Sequence, residues 1–174
     1  MELEDYKPVC ENSVKEFFLS YVDALELPII DYVAIGFQNT LNKKSTSIML
    51  NIEWQKLFQE MQFAIHDPVR KASLNTKNKF FTFDELDYQD SCGKEVMRQR
   101  KLHQIENGIV VIEKSLGENF MMTLGTGFKN FEARKFYLRH QSAIYRILKD
   151  LKLIIEPCTK EYKIKSLPVS ADAK

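Results

Sequence analysis

Three cysteines in 174 residues, Cys10, Cys92 and Cys158, are odd in number and far apart, so they make neither a disulfide framework nor a CxxC metal pair. They read as free thiols in a reducing compartment, which points to a cytoplasmic protein. No apolar run approaches the roughly 18 residues of a membrane span. The start, Met1-Glu2-Leu3-Glu4-Asp5, is acidic where a secretory signal would be basic. Charge of one sign is also missing: 25 Lys and Arg face 24 Asp and Glu with no basic block. Direct nucleic-acid binding, which needs clustered cations against phosphate, is not expected.

Catalytic signatures are missing too. Ser47, Ser73 and Ser142 lack a nucleophile-elbow context. His103 and His140 have no second metal ligand at i+4, and His66 and Asp67, adjacent in an extended segment, point in opposite directions. No nucleophile, base and orienting group come together, so the chain is read as a non-enzyme with no cofactor and no metal. Arg98, Arg100, Lys101, Arg134 and Lys135 read as solvated faces. Repeats and low-complexity segments are lacking as well.

What is present is 44% hydrophobic residues, enough for one domain with a real core. Ser13-Val14-Lys15-Glu16 reads as a capping box opening a first helix. Val14, Phe17, Phe18, Tyr21, Val22 and Leu25 give it a core face, and Pro28 ends the run. Residues 31–37 and 46–51 suggest a hairpin of two strands. Trp54, Leu57, Phe58, Met61 and Ile65 then recur at helical spacing, and Asp67-Pro68 is expected to end that helix. A strand at 80–83 and a helix over about 94–106 follow, with Asn107-Gly108 as a left-handed C-cap. Residues 109–112 and 120–124 form a second hairpin around Leu116-Gly117-Glu118-Asn119. The last helix carries a stripe of Ala133, Phe136, Tyr137, His140, Ile144, Ile147, Leu148 and Leu151. The expected organisation is an arm at 1–12, a domain at 13–156 and a polar tail at 157–174. The pattern predicts an α+β fold, an α/β/α sandwich around a central five-stranded antiparallel sheet, PAS/GAF-like.

On spacing alone the Trp54 stripe reads first as core, and Asp67 as a turn or cap residue. The combination of Trp54, Phe58, Asp67-Pro68-Val69 and the aromatic strand Phe80-Phe81-Thr82-Phe83, however, resembles the autoinducer-binding domain of LuxR-type quorum-sensing regulators. The resemblance covers roughly residues 14–155 and implies the same sandwich, with a ligand held between the sheet and one helical layer. It implies that Trp54 donates its indole N–H to a lactone carbonyl and that Asp67 accepts from the ligand amide. Thr123 would add a hydroxyl, Phe83 would stand where the family places a tryptophan against the head group, and Val69 would complete the lining.

Two departures shape the expected ligand. The family commonly has tyrosines four residues before and after the tryptophan, and here those positions are Leu50 and Phe58. Loss of these hydroxyls favours a more apolar or differently shaped signal over a standard acyl-homoserine lactone. LuxR-type regulators also continue into a helix-turn-helix domain, so this chain is read as a stand-alone sensor or as one domain of a longer regulator. The functional expectation is a sensor of an acyl-homoserine lactone or another amphipathic signal, used in transcription regulation. The alternative is a ligand-free interaction module that dimerises, with itself or with another regulator, through the last helix.

Overall fold

In a computed structural model, which describes residues 5–163, a six-stranded sheet is sandwiched between two helical layers. The strands are β1 (Asp5–Pro8), β2 (Tyr32–Asn39), β3 (Lys44–Met49), β4 (Phe80–Thr82), β5 (Asn107–Ser115) and β6 (Glu118–Thr126). Their order is β1-β3-β2-β6-β5-β4. This corrects the expected five antiparallel strands: β1 adds a sixth and pairs in parallel with β3. Four residues with one inward aromatic, Tyr6, are too short to show a strand's alternation. Both edges are short strands, which limits unpaired backbone, and β1 ends on Pro8.

Alternation along β2 and its neighbours sorts side chains to opposite faces. Val33, Ile35, Phe37, Ile48, Ile109, Met122 and Leu124 face α1 (Asn12–Asp23) and α5 (Ala133–Thr159) in one core. Tyr32, Ala34, Met49, Val110, Ile112 and Met121 face α2 (Ile52–Glu60), α3 (Pro68–Asn75) and α4 (Ser91–Leu102) in the other.

Several boundaries differ from the sequence expectations. Helix α1 starts at Asn12 after Glu11 without a side-chain cap, so the Ser13–Glu16 capping box does not form. Its Phe17 is exposed, while Phe18 and Val22 are buried. Helix α2 ends at Glu60 because Gln62 takes a left-handed conformation (φ 53°), and a 3-10 turn, Phe63–Ile65, follows. Met61 and Ile65 are accordingly exposed, off the core face. Asp67-Pro68 begins a helix instead of ending one. The Asp67 carboxylate accepts from the Val69 N–H (3.1 Å), and Pro68 occupies the first helical position, where no N–H is needed.

Asn107 and Gly108 lie in β5, and the left-handed residue after α4 is Gln104. Helix α5 bends at His140 and runs on through Pro157 to Thr159, because Ile154, Ile155 and Cys158 are buried there. The polar tail thus starts later than residue 157. A 3-10 turn buries Tyr162, whose carbonyl accepts from Asn39 and Asn42 (2.8 and 2.7 Å). The rest of the tail, from 164, and residues 1–4 of the arm lie outside the described residues. Among the described residues no helix is long and apolar enough to cross a membrane.

Candidate functional site

The face covered by α2, α3 and α4 carries the polar chemistry. Asn51 caps α2 by accepting from the Trp54 N–H (2.9 Å), which sets the helix so that Trp54 and Phe58 point at the sheet, both fully buried. Phe58 and Phe63 lie against the indole at centroid distances of 5.5 and 6.0 Å, and the His103 ring lies 5.5 Å away. His103 is held by its Nδ1 contact with the Gln99 carbonyl at 2.8 Å.

Between Trp54 and Asp67 stands a guanidinium. Arg100 reaches in from α4, only 5% exposed, and its Nη2 donates to Asp67 Oδ2 at 2.8 Å. Its plane lies 5.3 Å from the Trp54 ring and 5.8 Å from Phe83, within cation–π range. Arg100 therefore corrects the sequence reading of a solvated cation. The signal was available: Arg100 stands at helical spacing from Val96 and Met97, which are also buried, so the apolar side of α4 carries it inward.

A second buried arginine comes from α3, a helix not expected from the sequence. Arg70 Nη2 donates to Ser45 Oγ (2.6 Å), and its guanidinium lies 5.0 Å from the Tyr6 ring. Tyr6 in turn shares a hydrogen bond with Ser47 (2.8 Å) and packs on Phe58. Burial lowers the pKa of Arg70 from its ordinary value, opposed by Tyr6 and Asp67 and reinforced by Arg100. Burial likewise raises the pKa of the Tyr32 hydroxyl, against the pull of Arg100, so Tyr32 remains a neutral donor. A row of Ser45, Gln38 and Asn119 continues the polar strip beneath α3, with Asn119 Nδ2 donating to Gln38 Oε1 at 2.7 Å.

Several donors in this centre find no acceptor. The indole Nε1–H of Trp54, Nε and Nη1 of Arg100 and Nε of Arg70 are buried and unpaired. Space also remains. Ala34 and Thr123, opposite each other on the central strands β2 and β6, keep 8% and 6% exposure on this face. Ile35 and Met122, their neighbours on the other face, keep none. A gap wide enough for water therefore lies between helices and sheet. A surface cleft of about 340 Å³, lined by Asp31, Tyr32, Asn51, Glu53 and His103, adjoins the Trp54 side.

The structure thus brings Trp54, Phe58, Asp67, Val69 and Phe83 into one core and turns Thr123 toward it. Leu50 is elsewhere. It packs against the α1 and α5 core and lines a separate cleft of about 540 Å³ with Leu19, Leu25 and Val33. Sequence reasoning missed Tyr6, Tyr32, Arg70 and Arg100. Among the described residues no group of three His, Cys, Asp or Glu side chains could hold a metal.

The fold is found in other proteins. The N-acylhomoserine lactone dependent LuxR-family transcription factor CepR2 of Burkholderia cenocepacia superposes with a TM-score of 0.57 at 13% identity, over 71% of this chain and 72% of that one. SdiA in complex with octanoyl-rac-glycerol gives 0.58 at 11% identity, over 91% and 72%. Escherichia coli SdiA in a hexagonal crystal gives 0.57 at 11% identity, over 91% and 74%. At such identities the likeness shows the fold. No curated protein matches the sequence. A family model of the autoinducer-binding domain, in contrast, matches residues 11–144. The chain therefore belongs to the autoinducer-binding domain family of LuxR-type quorum-sensing regulators, a family of signal-sensing domains.

Proposed function

We propose that this domain is a non-enzymatic receptor in which an amphipathic small molecule binds between the sheet and the layer of α2, α3 and α4. The observation that supports it is the set of buried, acceptor-less donors on Trp54 and Arg100 beside the gap over Ala34 and Thr123. A buried donor without a partner costs about 1–3 kcal/mol. A ligand carbonyl or carboxyl would supply the acceptors, and its apolar tail would fill the gap. An acyl-homoserine lactone has this general form.

Thermal unfolding against a panel of acyl-homoserine lactones, monoacylglycerols, pyrones and fatty acids tests the reading. A binder stabilises the folded state by RT ln(1 + [L]/Kd), so at a hundredfold excess over Kd the gain is about 2.7 kcal/mol. Unchanged midpoints with every class would count against a receptor.

A second reading, a dimerisation module, draws on one surface feature. Exposed Phe17 of α1 and Leu153 of α5 border an apolar groove of about 470 Å³. Sedimentation over a range of concentrations separates the two readings. Self-association lost in Phe17→Ser supports the module, and a monomer throughout removes self-pairing.

A further inference from the structure

We infer that the head-group end of this site takes an anion, so that the cognate ligand is an amphipathic carboxylate and not a neutral lactone. The inference deepens the receptor reading and rests on it. Its basis is a charge count within one buried centre: Arg70 and Arg100 bring two guanidinium groups, and among the described residues Asp67, bound to Arg100, is the one carboxylate that acts on both Arg70 and Tyr32 there. Among the described residues one positive charge is left without a counter-ion in the interior, an arrangement that burial strongly disfavours unless something neutralises it.

The hydrogen-bond pattern points the same way. Asp67 is already engaged, one oxygen by the Val69 N–H and the other by Arg100, so a ligand amide would have to compete for it. Around Asp67 the groups left over are donors, Nε and Nη1 of Arg100, Nε of Arg70 and Nε1 of Trp54, while the one buried unpaired acceptor among the described residues, Asn119 Oδ1, lies further along the strip beneath α3. Nε and Nη1 of Arg100 point to different sides of the guanidinium, so each can donate one charge-assisted hydrogen bond to an anionic oxygen beside it. A lactone offers acceptors but no charge. It would leave the excess guanidinium charge in place. A carboxylate satisfies both deficits, while the tail lies over Ala34 and Thr123, because Met121 Cε already covers Gly36, 3.5 Å from where a Cβ there would stand.

A matched set of ligands on the intact chain tests this. Affinities are measured by calorimetry for N-decanoyl-homoserine lactone and for its ring-opened acid, at a mildly acidic pH at which the lactone persists and the acid stays ionised. Decanoate and decanol form a second pair. Each acid is expected to bind about tenfold to a hundredfold more tightly than its neutral partner, the worth of a charge-assisted hydrogen-bond pair. Arg100→Gln is expected to collapse that preference to less than about threefold, the acids losing more affinity than their neutral partners. Should the variant fail to fold, the wild-type pairs decide alone. A lactone that binds as tightly as its ring-opened acid overturns the anion assignment and leaves the receptor reading standing. Saturable binding by none of the four overturns both.

Discussion

Arg100 is the residue on which the site turns, and its partner sets the cost of losing it. The Asp67 carboxylate is 1% exposed and would keep only the Val69 N–H if Arg100 were removed. Arg100→Met is therefore expected to lower unfolding stability by about 3–5 kcal/mol, the range for breaking a buried pair. A loss under about 1 kcal/mol in urea unfolding would show that water already screens this centre. Asp67→Asn keeps the cap acceptor and loses the charge, so it should be milder than Asp67→Ala by about 0.5–2 kcal/mol, the worth of an N-cap. A different single-residue test concerns the thiols. Burial and then the Glu11 carboxylate, which accepts from Cys158 Sγ at 2.5 Å, push the Cys158 thiol up to about 12. Thiolate is the reactive form. At neutral pH a disulfide reagent should modify exposed Cys10 and Cys92 quickly, and Cys158 only on unfolding.

The elements show how far the sequence could be read. Strands β2, β3, β5 and β6 and helices α1, α2, α4 and α5 announce themselves through alternation or helical spacing, and the two-layer packing follows. Helix α3 does not, because Asp67-Pro68 was weighed as a stop although the same dipeptide is a cap followed by a first helical residue. Missing α3 hid Arg70, and treating charge as a mark of solvent hid Arg100. Tyr6 was invisible for another reason: its strand is defined by pairing with β3, 39 residues away in the chain, and not by its own pattern. The β4 end joins α5 through Glu85 and Arg134. Burial would raise the Glu85 pKa, but hydrogen bonds from the Thr82 backbone and hydroxyl and from Arg134 prevail and lower it. A folded pKa below the unfolded value contributes stability that is present above the ordinary carboxylate range and lost as pH falls through the folded value. The advantage of the wild type over Glu85→Gln should therefore vanish in acid, as melting midpoints across pH would record. Gly108 of β5 is a packing requirement: a Cβ there would stand 2.9 Å from Phe83 Cζ and 3.0 Å from the Leu124 carbonyl. Gly108→Ala is expected to cost about 1–3 kcal/mol, and no loss would mean that Phe83 swings aside.

For the whole molecule, the two cores divide the labour. The face against α1 and α5 is packed with apolar side chains, and it supplies the frame. The opposite face carries small residues and, among the described residues, unpaired donors, features that weaken an empty domain and reward one that is filled. Ligand and folding are then coupled, and the empty form should exchange the amides of α2, α3 and α4 faster than those of α5. The sequence itself provides the reporter, because Trp54 is its one tryptophan and is fully buried against Arg100. Titrating the chain with decanoate while recording tryptophan emission measures occupancy at the proposed head-group position and nowhere else. A saturable change in emission, with the same midpoint as the stabilisation against heat, is the predicted result. Stabilisation that leaves the emission of Trp54 untouched would place the ligand outside this site and contradict the account.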